Sequence, residues 1–145
     1  MALIDEHVRR VKEHLDEIKD AIDDGVENKP ITVGFHSSAC SVELLELYLH
    51  KINKISVGKV IKHNWFKKPQ IGQKQKALAD RKIGVEFLGK ETIYNIIYEI
   101  ERNRSSLVYG RPGLNQINGV IDSFLKLKRL MLKKLKEEGV EIEKE

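Results

Sequence analysis

The polar cluster best suited to chemistry lies between Glu101 and Pro112. It contains three arginines, an amide, two hydroxyls and a phenol: Arg102, Arg104, Arg111, Asn103, Ser105, Ser106 and Tyr109. A guanidinium group presents a planar fork of donors that matches the oxygens of a phosphate. We therefore expect a phosphate or nucleotide site here, with the three arginines as its clamp. The alternative is that Arg102 only pairs with Glu99 or with acids of the first helix, as charged groups at helix ends commonly do.

A second candidate is the segment from Leu47 to Ala79, which has no Asp or Glu and contains eight lysines. Its most informative part interleaves basic and aromatic residues: Lys59, Lys62, His63, Trp65, Phe66, Lys67 and Lys68. Lysines neutralise phosphates and flat rings stack on unpaired bases, so this composition suits single-stranded nucleic acid. Alternatively, the two large rings anchor the segment on the core. His63 is also a possible general base for the arginine cluster.

The sequence predicts neither a metal site nor a cofactor. His36 and Cys40 have the spacing of two ligands on one helix, but no second ligand pair accompanies them. We interpret both as core or interface residues. His7 and His14 are interpreted as solvated positions of the first helix. The chain has no Walker loop, no dinucleotide fingerprint and no nucleophile elbow.

Two stretches of the chain resemble the HEPN domains (higher eukaryotes and prokaryotes nucleotide-binding). They are Gly34–Ala39, an aromatic-His stretch that opens a long apolar helix, and Ile100–Gly110. The resemblance implies a small helical bundle that binds RNA or a nucleotide. Many HEPN domains are metal-independent ribonucleases in which a histidine follows an arginine after a few residues. Here Tyr109 stands in that position after Arg102, and a tyrosine is the weaker general base at neutral pH.

The resemblance has further implications for partners. HEPN domains usually form homodimers in which the arginine clusters face each other, and many act beside a nucleotidyltransferase in toxin–antitoxin pairs. We therefore expect a homodimer that binds RNA or a nucleotide and lacks the usual ribonuclease activity. The alternatives are a metal-independent ribonuclease using Arg102 with Tyr109 or His63, and a partner or substrate of a nucleotidyltransferase with Tyr109 as acceptor.

The elements that must position these residues are helices. Apolar residues recur at steps of three and four over Ile4–Ile22, from Thr32 to about Asn53, from about Lys90 to Tyr109, and from Leu114 to about Glu138. Gly34 is expected to let a neighbouring helix approach closely. Residues 54–81 lack a clean period, and a strand is the alternative over Ile83–Leu88.

This pattern predicts an all-α fold, an up-and-down antiparallel four-helix bundle with a long irregular connection between the second and third helices. We expect one domain over residues 1–138 and a short charged tail over 139–145.

The 145 residues are 33% charged and 41% hydrophobic, which is typical of a globular protein. The chain shows no apolar run that could span a membrane and no secretion signal, and it has one cysteine. We therefore predict a cytoplasmic protein. The abundance of Lys, Glu and Ile is also compatible with a heat-loving source.

Overall fold

The structure is a computed structural model that describes residues 2–56, 58–67 and 78–143. Over these residues the chain forms helices. The α-helices are α1 (Ala2–Asp24), α2 (Pro30–Lys51), α3 (Leu78–Ile83), α4 (Lys90–Tyr109) and α5 (Leu114–Glu137). Two short 3-10 helices, Val26–Asn28 and His63–Trp65, lie in the connections. No strand occurs in the described ranges, so the all-α prediction is confirmed and the strand alternative over Ile83–Leu88 is wrong.

Helix α2 lies at the centre of the packing and contacts α1, α4 and α5. It begins at Pro30, two residues before the predicted start, because proline has the φ of a first helical turn and that position needs no N–H donor. Its buried residues include Cys40, Leu44 and Leu47. The helices pack in a way that is compatible with a helical bundle, while the up-and-down order of the four long helices stays a prediction.

Gly34 lies where α2 and α4 approach each other closely. A Cβ atom built on it would lie 2.7 Å from the Cβ of Leu107 and 3.2 Å from Cγ2 of Val108. The expectation that this glycine admits a neighbouring helix is confirmed. The contact places the beginning of α2 beside the end of α4, where the arginine cluster lies.

The long connection between α2 and α4 is less irregular than predicted. Its described part contains the 3-10 helix His63–Trp65 and the short helix α3, whose Ala79 and Ile83 are buried. Helix α3 spans 6 residues, fewer than two turns, and so produces no repeating apolar pattern. The structure thus has a fifth helix that the periodicity did not predict.

The residues after α5 fold back onto the bundle. Gly139 has a φ of 84°, which favours glycine, and it ends the helix as predicted. Val140 and Ile142 are buried, and Nζ of Lys128 lies 3.0 Å from a carboxylate oxygen of Glu143. The segment set apart as a charged tail therefore contributes to the core over its described residues. No helix in the described ranges is long and apolar enough to cross a membrane.

Candidate functional site

A cleft of about 640 Å³ lies between the C-terminal half of α4 and the segment around the 3-10 helix His63–Trp65. The residues that line it are His63, Asn64, Phe66, Lys67, Tyr98, Glu99, Glu101, Arg102, Arg104 and Ser105. Two segments that are far apart in the sequence, the lysine-rich one and the arginine-rich one, thus form opposite walls. The cleft joins the two candidate regions of the sequence into one site.

Helix α4 forms one wall of the cleft with side chains that are three or four residues apart in the sequence. Tyr98, Glu101 and Ser105 share one face because this spacing matches the helical turn. Arg104 lies between the buried Ile100 and Leu107 on the stripe that otherwise faces the core. Burial raises the pKa of the Tyr98 hydroxyl, which therefore stays protonated at neutral pH.

The other wall is held in place by Phe66. Its ring is buried and lies 5.2 Å from the ring of Tyr94 and 5.6 Å from that of Tyr98. Trp65 is half-buried and packs against the core. The alternative that these rings anchor the segment is confirmed, and this anchoring fixes the backbone on which His63 and Lys67 lie.

His63 is bound to Glu101 across the cleft. Its Nδ1 lies 2.9 Å and 3.1 Å from the two carboxylate oxygens of Glu101, which can only accept when ionised. The hydroxyl of Ser38 donates to the same carboxylate at 3.2 Å. Nδ1 therefore carries the proton, and Nε2 of a neutral His63 keeps its lone pair. A carboxylate that orients an imidazole in this way is the arrangement of many general bases.

The two arginines of the cleft differ in their partners. Arg102 is exposed and forms an ion pair with Glu99, to which its Nε donates at 3.2 Å. The guanidinium carbon of Arg104 lies 5.9 Å from the ring centre of Phe35. Nε of Arg104 is buried and has no hydrogen-bond partner among the described residues. The interpretation that Arg102 pairs with Glu99 is confirmed, whereas Nε of Arg104 has no acceptor within the described part of the chain.

The other predicted residues that the structure describes lie outside the lining of the cleft. Asn103 accepts a hydrogen bond of 3.0 Å from Gln116, and Tyr109 is 80% exposed beyond the end of the cleft wall. Arg111 and Lys62 are exposed as well. Lys68 lies outside the described residues. The cleft therefore unites Arg102, Arg104, His63 and Lys67 but not the whole predicted set.

Sequence reasoning assigned no role in the site to Glu101, Ser38 or Ser105, although Glu101 and Ser105 lie within the predicted polar cluster. A usable signal existed for Glu101, because it continues the stripe of Tyr94 and Tyr98 at helical spacing and so had to face inward. Ser38 and Ser105 left no comparable signal, since serine is common on any helix face.

Two further histidines and the cysteine lie away from the cleft. Nδ1 of His14 and Nδ1 of His36 are 2.8 Å apart, so one ring donates to the other. Burial lowers the pKa of both imidazoles, and the charge of His36 lowers that of His14 further. Cys40 is fully buried in the core, and burial raises the pKa of its thiol. The predicted core role of Cys40 is confirmed.

Comparison with protein-family models, with curated proteins and with solved structures finds no match to this chain.

Proposed function

We propose that this protein is a HEPN-like domain that binds RNA or a nucleotide in the cleft between α4 and the 3-10 helix His63–Trp65. The observation that carries the proposal is that Arg102, Arg104, His63 and Lys67 line one cleft, although two distant segments contribute them. Three cationic side chains and an imidazole around one space suit a phosphate group.

The partners of the two arginines support a phosphate as the ligand. The buried Nε donor of Arg104 has no partner within the described ranges, and a buried donor without an acceptor is unfavourable. Arg104 lines the cleft, and a phosphate oxygen there would satisfy this donor once the side chain turned to expose Nε. Arg102 lies in an exposed ion pair with Glu99, which is weak enough to be exchanged for a phosphate.

Binding of a fluorescent single-stranded RNA, measured by anisotropy at several salt concentrations, tests the proposal. We expect Arg102→Ala to weaken binding and to reduce the slope of log affinity against log salt by about 0.7. Arg9→Ala is the matched control, because Arg9 is also an exposed arginine in an ion pair with a glutamate three residues away. Arg104→Lys keeps the charge but removes the fork, and we expect roughly tenfold weaker binding. Equal effects of Arg9→Ala and Arg102→Ala would exclude this cleft as the site.

A second candidate function is metal-independent RNA cleavage, which the bond between His63 and Glu101 favours. Nε2 of His63 would take the proton of a ribose 2′-hydroxyl, and the 2′-oxygen would attack the adjacent phosphorus. The bond to the 5′-oxygen then breaks, that oxygen takes a proton from water, and a 2′,3′-cyclic phosphate remains. Arg102 and Arg104 would stabilise the negative charge that develops on the non-bridging oxygens of the phosphate in the transition state.

Incubation of end-labelled RNA with and without a chelator tests this second function. We expect cleavage in both conditions, and a loss of at least about 100-fold in His63→Gln, which lacks the base. His36→Gln is the control, since His36 lies outside the cleft lining. Intact RNA after long incubation with the unmodified protein would exclude cleavage and leave the binding function.

A further inference from the structure

A buried cluster of polar side chains lies where α1 packs on α2, away from the cleft. It consists of His7 from α1 and of Glu43, Glu46 and His50 from α2, spaced so that all three face one direction. His7, Glu46 and His50 are 1%, 6% and 8% exposed. The interpretation of His7 as a solvated helix position is wrong, because its ring points into the contact between the two helices.

Nδ1 of His7 lies against the carboxylate of Glu43 and 3.3 Å from Nη2 of Arg10. The same carboxylate accepts from Nε of Arg10 at 2.9 Å. Because an ionised carboxylate only accepts, we assign the proton of a neutral His7 to Nδ1. Nε2 of neutral His7 therefore carries a lone pair, and this buried atom has no hydrogen-bond partner among the described residues. It lies 3.3 Å from Oε2 of Glu46. A lone pair and a carboxylate oxygen at this distance repel each other unless a proton or a metal ion lies between them.

Glu46 and His50 are oriented in the same manner. The backbone N–H of Ile61 donates to Oε1 of Glu46 at 2.6 Å, which leaves Oε2 turned toward His7. His50 donates from Nε2 to the carbonyl oxygen of Lys59 at 3.2 Å, so its other ring nitrogen keeps a lone pair. Metal-binding histidines typically donate their second nitrogen to a carboxylate or a backbone carbonyl in this way.

We propose that His7, Glu46 and His50 bind one divalent transition-metal ion, with Zn²⁺ as the best fit. One ligand atom from each residue lies within 4.8 Å of the other two. Bonds of about 2.1 Å in a tetrahedral shell place ligand atoms about 3.4 Å apart, which matches the 3.3 Å between His7 and Glu46. Two imidazoles and one carboxylate form a ligand set that zinc commonly has in proteins.

The ion would join three parts of the chain. His7 belongs to α1, Glu46 and His50 belong to α2, and both α2 residues hold the backbone at Lys59 and Ile61. That backbone leads directly to His63. The metal would thus connect the first two helices to the segment that forms one wall of the cleft, although its binding does not depend on what the cleft binds.

Titration of chelator-stripped protein with Zn²⁺ by calorimetry, and with Co²⁺ by visible absorption, tests the proposal. We expect one ion per chain, a higher melting temperature with Zn²⁺, and a Co²⁺ spectrum of nitrogen and oxygen ligands. Glu43→Gln keeps the three ligands and alters only the support of His7, so we expect the same stoichiometry with about 10–100-fold weaker binding.

Three ligand variants and one control complete the design. His7→Gln, Glu46→Gln and His50→Gln keep the size of the side chain and should abolish the binding of the ion. His36→Gln removes one member of the pair with His14 and should leave binding unchanged.

A stripped protein that takes up no ion would overturn the proposal, with a protonated His7 between the two glutamates as the explanation. A thiolate band in the Co²⁺ spectrum, or loss of binding in His36→Gln alone, would place the ion elsewhere and overturn it equally. The spectrum of the unmodified protein decides the case if a ligand variant fails to fold.

Discussion

His14 and His36 are a pair of histidines whose protonation opposes folding. Burial holds both pKa values below the usual value of about 6.5, and the charge of His36 lowers that of His14 further. The unfolded chain therefore binds protons at a higher pH than the folded chain does. We expect stability to be independent of this pair above about pH 7 and to fall as the pH drops through about 6.5 toward the lowered values.

Urea denaturation at a series of pH values measures this effect. Glu13, Glu17 and Glu43 raise these two pKa values in part, and Arg10 lowers that of His14, but burial dominates for both rings. In the double variant His14→Gln, His36→Gln, the loss of stability between about pH 7 and pH 5 should be smaller than in the unmodified protein. An unchanged loss would show that other groups cause it.

At the residue scale, sequence reasoning selected two groups of residues by their composition. The arginine cluster and the basic aromatic segment were both selected, and five of the residues named for them line one cleft: His63, Phe66, Lys67, Arg102 and Arg104. It failed for His7, although His7 lies three residues after Ile4 and four before Val11 and so continues the apolar stripe of α1 at helical spacing. It also could not predict the contact between His63 and Glu101, since that contact depends on how Phe66 packs the segment around the 3-10 helix His63–Trp65 against α4.

At the scale of elements, the contact between α2 and α4 depends on the missing side chain of Gly34. An alanine there would place its Cβ 2.7 Å from the Cβ of Leu107, so one helix has to move. We expect Gly34→Ala to destabilise the protein by about 1–3 kcal/mol, as overpacking typically does. Urea denaturation monitored by circular dichroism gives this value.

Gly119 provides the comparison for this substitution. It lies inside α5, and a Cβ built on it has nothing within 4 Å. Alanine is the better helix former, so Gly119→Ala should stabilise the protein by about 0.5–1 kcal/mol. If both substitutions changed the free energy of unfolding in the same direction, the close approach of α2 and α4 would not explain the effect of Gly34→Ala.

The long helices could be predicted from the sequence because each has several turns of apolar spacing. Helix α4 begins at Lys90 and ends at Tyr109, as the pattern indicated. The short helix α3 and the 3-10 helix His63–Trp65 could not be predicted, since elements of one or two turns are stabilised by tertiary contacts rather than by their own pattern.

At the scale of the molecule, one end of the bundle exposes apolar side chains beside the arginine cluster. Ile31 and Phe35 lie at the start of α2, and Tyr109 and Leu114 lie around the turn between α4 and α5. The guanidinium of Arg104 lies over the ring of Phe35. A homodimer formed through this end would cover the apolar residues and bring two arginine clusters together.

Analytical ultracentrifugation tests this proposal. We expect a species with twice the mass of the chain, and a shift to the monomer in Phe35→Asp, because a carboxylate in an apolar interface costs binding energy. Leu88→Asp is the control, since Leu88 is 86% exposed and distant in sequence from this end. A monomeric unmodified protein at high concentration would exclude the dimer.

The burial of Cys40 has a practical consequence for following the motions of the protein. It is the single cysteine of the chain, it lies in the middle of the central helix, and its side chain is fully buried. A thiol-reactive reagent can modify it only after α2 has separated from its neighbours, since the reagent needs an accessible thiolate. The rate of labelling at increasing urea concentrations thus reports how often the core opens, as hydrogen exchange does for a backbone amide. The sequence already contains this probe, and no engineered residue is needed to use it.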